Sequence, residues 1–378
     1  MAVQNNIKNN KPFFQNLDAL RFLAAFSVFI FHFFNEMSAF YQLNIDSISY
    51  KVINLIISKG SLGVNFFFVL SGFLITYLIL WERQHTKYFN LKHFLIRRTL
   101  RIWPLYFLIV LIGFVIFPLI LNDFATLHSP WYYIFFLANF DEINVGLSDP
   151  INFLTAPWSV AVEEQFYLFW GLLLFIFQHL KKFPISFALV LLLTISLVFS
   201  FVYQDSTRIL YYHTFSVMSN IIIGSGLALF FFQNRKWLLA LKQLKKWHII
   251  IIYCVGICMI ILKNKIFIGP ISALEQSVIS FFFAFVILDQ IYLPNSFFKI
   301  GQVTIFNHLG KISYGLYLYH LLVMFLLVYY FESWFLSQSE IVGMITFLII
   351  SACSTYILSY FSFKYFEKPF LSLKNKFY

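Results

Sequence analysis

The sequence predicts an all-α, polytopic integral membrane protein with about ten transmembrane helices and both termini in the cytoplasm. Of its 378 residues 60% are hydrophobic and only 11% are charged, and the mean hydropathy is +0.79. Soluble domains carry about 25% charged residues. Ten apolar stretches are long enough for spanning helices, which need roughly 17–25 residues. They cover 17–35, 61–80, 102–121, 158–178, 185–203, 212–232, 248–263, 271–288, 312–331 and 341–363.

The first stretch is too long and too charged for a cleaved signal peptide, so we expect it to remain as the first helix. In the second stretch, Gly63 and Gly72 permit close helix packing. The apolar run 131–140 is too short to cross a bilayer, and we expect it to be interfacial or re-entrant. The whole chain, 1–378, is predicted to be one transmembrane domain with no appended soluble domain, so any chemistry must occur within it.

The placement of positive charge predicts the orientation. With the N-terminus inside, 22 of the 27 Lys and Arg residues lie on the inner side, in agreement with the positive-inside rule. The net charge of +11 therefore reflects topology and anionic lipid, and gives little reason to expect nucleic acid. We expect a multi-pass protein of the inner (plasma) membrane; its oligomeric state stays open.

Cys254 and Cys258 are four residues apart on an apolar helix, a spacing that a metal pair could use. The sequence offers no third or fourth ligand nearby, so we expect small, buried apolar side chains and no metal site.

Arg21 and His32 are the first candidate site residues. Eleven helical residues make about three turns, so both side chains project from one face, ~16 Å apart along the axis. Ionisable residues inside a membrane span are costly and usually functional. The alternative is an arginine that reaches to the interface and a histidine hydrogen-bonded between helices.

Arg97, Arg98 and Arg101 form a second candidate cluster, because spacings of three and four residues bring side chains to one helical face. Guanidinium groups bind phosphate in a bidentate geometry. A phosphate-rich cytosolic ligand such as a nucleotide or coenzyme A would suit them; contact with lipid headgroups is the alternative.

Two further segments carry candidate residues. In APWSVAVEEQFYLFW (156–170), Glu163 shares a face with Tyr167 near what we predict to be the outer end of the helix, far from the cytoplasmic arginines. It could orient a histidine or bind sugar hydroxyls, or be an interfacial acid in water. In KISYGLYLYHLLV (311–323), His320 lies mid-helix, with Tyr317 on roughly the same side. A lone helical histidine is more often structural than catalytic, so a structural role is the alternative.

Together these segments resemble the acyltransferase-3 family of integral-membrane acyltransferases, which O-acylate cell-surface glycans and some small molecules. The resemblance runs from LDALRFLAAFSVFIFHF through GVNFFFVLSGFLI, RRTLRIWPLY, WSVAVEEQFY and ISYGLYLYH to YFEKPF. One departure is Asn65, where many members have Asp after Gly-Val.

The resemblance implies that His32 belongs to the catalytic centre and that Arg21 supports it. It also implies that the three clustered arginines help to bind acyl-CoA phosphates, and Glu163 matches an acidic position of the family. We therefore predict transfer of an acyl group, chiefly acetyl, from cytoplasmic acyl-CoA to a hydroxyl of a polysaccharide, lipopolysaccharide or related glycan.

In this scheme Arg21, His32 and Glu163 are catalytic, and no permanently bound cofactor is expected. The residues expected to contact the acceptor are Trp158, Tyr167 and His320. The alternative is a transporter or flippase of a lipid-linked glycan or a small polar solute, with Arg21, His32, Glu163 and Glu275 along its path. Such proteins also keep ionisable residues in their spans.

Overall fold

Ten helices carry the ten apolar stretches in the computed structural model, which describes residues 14–121, 126–145, 152–179, 185–233 and 235–377. They are α1 (Gln15–Phe40), α2 (Leu62–Thr86), α3 (Leu91–Leu111), α4 (Pro157–Phe177), α5 (Ile185–Val202), α6 (Thr214–Gln233), α7 (Lys246–Ile261), α8 (Glu275–Tyr292), α9 (Ser313–Leu336) and α10 (Glu340–Phe361). Nine spans within the described ranges are long and apolar enough to cross a membrane, and α7, with 16 residues, is shorter. The same ranges contain no strand, so the all-α, polytopic prediction is confirmed.

Shorter helices lie between these ten and, in one case, after α10. They are Ile48–Ile57, Phe117–Ile120, Pro130–Ile134, Ala138–Val145, Thr207–Tyr212, Arg235–Leu241, Lys263–Ile266, Thr304–Lys311 and Lys368–Leu373. Two π-helical segments, Ile112–Ile116 and Ser362–Glu367, continue α3 and α10. The apolar run 131–140 falls in two of the short helices, so it does not span, as predicted.

Helix α3 begins about ten residues before the predicted apolar stretch. The Asn90 side chain accepts a hydrogen bond from the His93 backbone N–H at 3.0 Å, and this cap starts the helix at Leu91. The arginine-rich segment 97–101 therefore forms the first turns of α3. Hydropathy alone misses these turns because they are charged.

Helices α2 and α6 cross with their backbones in direct contact. A Cβ atom added to Gly72 would lie 1.9 Å from the Ile221 carbonyl oxygen, and one added to Gly224 would lie 1.9 Å from that of Val69. Small residues at such crossings let helices approach closely in a membrane. The prediction that Gly72 serves close packing is thus confirmed, and the crossing fixes α2 as one wall of the cavity described next.

Candidate active site

A cavity of about 500 Å³ opens among the first turns of α1, α3 and α9, the middle of α2, the first half of α4 and the helix Lys368–Leu373. Five basic side chains line it: Arg21, Arg98, Arg101, Lys311 and Lys374. Acidic groups on the wall are Asp18, Glu163 and Glu367. We call this space the basic cavity. Its excess of cations, half-buried among apolar side chains, suits a ligand that carries several negative charges.

Two of the arginines are held by visible contacts. The Arg21 guanidinium donates to Asp18 Oδ1 at 2.5 Å, one turn earlier on α1. The Arg98 guanidinium carbon lies 5.5 Å from the ring centroid of Phe94 and 5.7 Å from that of Tyr167. Cation–π contacts of this kind orient a guanidinium. They hold Arg98 at the cavity wall beside the rings of Phe94 and Tyr167.

A short chain of hydrogen bonds crosses the cavity wall from α2 to α4. The Tyr167 hydroxyl donates to Glu163 Oε2 at 2.7 Å and accepts from Ser71 Oγ at 2.5 Å. Because Arg98 also contacts the Tyr167 ring, Glu163 lies on the same cavity as the arginines. The expectation that Glu163 lies far from them was wrong: the first residues of α4, from Pro157 to Val162, are buried, and Glu163 lines the cavity together with Arg98 and Arg101.

The two candidate histidines do not line the basic cavity but lie next to one of its lining residues. His32 on α1 and His320 on α9 face each other with ring centroids 5.3 Å apart. Tyr317, one turn before His320, does line the cavity, and His320 Nδ1 lies 2.5 Å from the Tyr317 carbonyl oxygen. The paired rings thus adjoin the cavity through Tyr317.

Some predicted site residues have partners elsewhere. Arg97 donates to Glu82 Oε2 and to the Phe377 carbonyl, each at 2.6 Å, and does not line the basic cavity. Trp158 is buried against the rings of Phe68, Tyr211 and Tyr212. Their roles in binding donor and acceptor stay predictions.

Asn65 and Glu275 also lie outside the cavity. The Asn65 amide donates to Asn220 Oδ1 at 3.3 Å in a buried contact between α2 and α6. Glu275 accepts from Lys263 Nζ at 2.5 Å. The four residues of the transporter hypothesis are therefore dispersed, and only Arg21 and Glu163 among them share the cavity.

No pattern in the sequence singles out Ser71, Lys311 or Lys374, which the fold brings to the cavity from three separate segments. Ser71 follows an apolar run, and the two lysines look like ordinary inner-side charges in sequence. No group of three or more potential metal ligands occurs among the residues that the structure describes. Cys254 and Cys258 are exposed, so the expectation that their side chains are buried was wrong.

Comparison with known proteins decides the family. The family model described as the acyltransferase domain of acyltransferase 3 matches residues 14–363, almost the whole chain. The chain belongs to the acyltransferase-3 family. The candidate residues from Arg21 to His320 all fall within the matched region.

Two relatives of this acyltransferase-3 chain have informative names. It is 26% identical to the peptidoglycan O-acetyltransferase OatA of Listeria monocytogenes over 97% of this chain and 56% of that protein. It is 28% identical to the O-acetyltransferase OatA of Staphylococcus aureus over 83% of this chain and 53% of that one. The chain thus spans little more than half the length of the curated relatives it matches. No solved structure matches it significantly.

Proposed function

We propose that this acyltransferase-3 chain is a membrane O-acyltransferase that moves an acetyl group from cytoplasmic acyl-CoA to a hydroxyl of a cell-surface glycan. The observation that carries the proposal is the basic cavity, which Arg98, Arg101 and Glu163 line together and which the two histidines adjoin through Tyr317. The names of the relatives favour acetyl as the acyl group and a glycan as the acceptor.

The donor would bind through its phosphates. Coenzyme A carries several phosphate charges, and guanidinium groups bind phosphate through paired hydrogen bonds while lysines act as point charges. Arg21, Arg98 and Arg101, with Lys311 and Lys374, supply those groups around one cavity. The charge distribution of the sequence supports a cytoplasmic entrance in the inner (plasma) membrane, with both termini inside.

His32 would act as the general base or as the nucleophile of the reaction. As a general base, it takes the proton from the acceptor hydroxyl while the oxygen attacks the thioester carbonyl carbon. The carbon–sulfur bond breaks, the acetyl ester forms, and the thiolate leaves as coenzyme A and takes up that proton. As a nucleophile, His32 would instead carry the acetyl group briefly before passing it to the hydroxyl. Both routes consume one acyl-CoA for each ester formed.

The acceptor would approach from the opposite side of the membrane. Aromatic faces and carboxylates suit sugar binding, and Tyr167 and Glu163 are hydrogen-bonded to each other on the cavity wall, with Trp158 on the same helix. A polysaccharide, lipopolysaccharide or related glycan meets these requirements.

Charge reversal of two cavity arginines tests the donor assignment. We expect Arg98→Glu/Arg101→Glu to weaken acetyl-CoA binding by at least ~10-fold, and high salt to weaken binding to the wild type in the same direction. The matched control is Arg83→Glu, which alters an exposed arginine at the end of α2 that does not line the cavity. Binding measured on the purified protein in detergent gives the answer. Unchanged affinity in the double variant would leave these arginines with a topological role alone.

Release of coenzyme A separates the enzyme from the transporter. Membranes that contain the protein should release free coenzyme A in proportion to the acetyl mass gained by the glycan. A passive transporter or flippase would leave the donor intact, and that result would overturn the proposal.

A further inference from the structure

The ring of His320 has a fixed orientation in the middle of α9. Its side chain is 1% exposed, and Nδ1 lies 2.5 Å from the Tyr317 carbonyl oxygen. A carbonyl oxygen only accepts hydrogen bonds, so Nδ1 must be the protonated nitrogen and the donor. In the neutral ring, Nε2 then carries the lone pair.

That lone pair has no hydrogen-bond partner among the residues that the structure describes. Leaving a buried polar atom without a partner costs about 1–3 kcal/mol, and such atoms in folded proteins need an explanation. The rings nearest to His320 are those of Phe29, Tyr317 and His32, with centroid distances of 6.4, 5.8 and 5.3 Å. The imidazole of His32 is the closest of the three and the one that carries a ring N–H.

We propose that His320 is a positioning residue for His32, and that its Nε2 accepts the ring N–H of His32 during the reaction. The χ2 torsion of histidine is broad, so the His32 ring can turn its N–H toward this lone pair without backbone movement. The bond would keep the proton of His32 on the nitrogen that faces His320. The second ring nitrogen of His32 then carries a lone pair and acts as base or nucleophile. The inference rests on the proposed function, and it gives His320 a role toward His32 instead of direct contact with the glycan.

The proton balance of the step is simple. The acceptor hydroxyl loses its proton to the free nitrogen of His32, which becomes an imidazolium, and the departing thiolate later removes that proton. His320 stays neutral throughout and contributes one hydrogen-bond acceptor, which strengthens as His32 gains positive charge. The carboxylate of a serine-protease triad holds its histidine in the correct tautomer in the same manner.

Two amide substitutions separate this role from a structural one. Because an asparagine amide reaches about as far as Nδ1, His320→Asn keeps a donor for the Tyr317 carbonyl but removes the acceptor at the Nε2 position. The longer glutamine in His320→Gln brings an amide oxygen close to the Nε2 position. We expect His320→Asn to lower kcat by at least ~10-fold, with the KM for acetyl-CoA nearly unchanged, and His320→Gln to recover much of that loss.

The measurements are steady-state acetyl transfer and thermal unfolding of both variants and the wild type in the same detergent. A structural role for the Tyr317 contact predicts the opposite order, with Asn equal to or better than Gln in both activity and melting temperature. That order would overturn the inference. Failure of the wild type to transfer acetyl would overturn the proposed function instead, so the two failures are distinguishable.

Discussion

The hydrogen bond from Tyr167 to Glu163 holds a carboxylate on the wall of a cavity that is otherwise rich in cations. Sequence periodicity correctly grouped Glu163 with Tyr167 on one face of α4. It could not show that Ser71 of α2 completes the chain of hydrogen bonds, because 96 residues separate Ser71 from Tyr167. At the residue scale, local spacing predicts neighbours on one helix, and only packing decides which helix faces them.

Glu163→Gln tests the carboxylate at nearly constant volume. We expect acetyl transfer to fall by at least ~10-fold, since acid–base and orienting groups typically contribute 10²–10⁴-fold. Donor affinity should stay equal or become tighter, because the substitution removes a negative charge that shares the cavity with Arg98 and Arg101. Transfer kinetics and acetyl-CoA binding, measured on one preparation, check both parts.

The neighbouring acid provides the matched control. Glu164 accepts from Trp103 Nε1 at 3.0 Å and does not line the cavity, so Glu164→Gln should leave transfer within a few-fold of the wild type. Equal losses in the two variants, or loss of donor binding in Glu163→Gln, would contradict this assignment.

At the scale of elements, the crossing of α2 and α6 sets the position of Ser71 and therefore the shape of the cavity. The sequence indicated close packing at Gly72, but the partner, Gly224, lies on a helix whose glycines have no distinguishing pattern. At each of the two glycines, a backbone carbonyl of the other helix occupies the space that a Cβ atom would need. No side-chain rotation can therefore make room for a Cβ atom there.

Alanine substitutions test the crossing. Gly72→Ala and Gly224→Ala should each destabilise the protein by about 1–3 kcal/mol, the usual cost of overpacking, and lower the melting temperature in detergent. Gly226→Ala is the control, because a Cβ at Gly226 meets nothing within 4 Å; it should leave stability unchanged or raise it by up to about 1 kcal/mol. A melting temperature for Gly72→Ala at or above that of the control would refute the close contact.

The connection between α3 and α4 contains a buried polar cluster that the sequence did not reveal. His128 Nδ1 donates to Asp141 Oδ2 at 2.6 Å, and the Asn152 amide donates to Nε2 of the same ring. Glu142 is only 4% exposed beside them, and burial raises the pKa of its carboxyl group to about 7. Asp141, Glu142 and Asn152 follow His128 by 13, 14 and 24 positions, so no helical periodicity predicts their contact with its ring.

The raised pKa of Glu142 predicts a pH dependence of stability. The folded state binds this proton more tightly than the unfolded state, so stability falls as pH rises from about 4.5 to about 7 and then levels off. The total loss is at most about 3 kcal/mol. Glu142→Gln removes this pH-dependent loss of stability, so the variant should melt above the wild type at pH 8 and close to the wild type at pH 4.5. The control is Glu332→Gln, which alters an exposed residue and should melt like the wild type at both pH values. Parallel melting curves for Glu142→Gln and the wild type across this range would contradict the burial argument.

At the scale of the whole molecule, composition and hydropathy were sufficient for the fold class and for all ten helices, because spanning length and apolar content are local properties of the chain. They were insufficient for the site. Arg97, Arg98 and Arg101 are equivalent in sequence, yet Glu82 at the end of α2 pairs with Arg97, whereas the other two line the cavity. The sidedness that the positive charges predict stays a prediction.

Acetyl transfer in a reconstituted bilayer tests the central claim most directly. Proteoliposomes that contain the wild type or His32→Ala are given acetyl-CoA labelled in the acetyl group, together with a glycan acceptor. We expect the wild type to place label on the glycan and to release coenzyme A in equal amounts. His32→Ala should do both at least ~100-fold more slowly, while it still inserts in the membrane and binds acetyl-CoA. Transfer by His32→Ala at the wild-type rate, or a wild type that leaves the donor intact, would contradict the proposed mechanism.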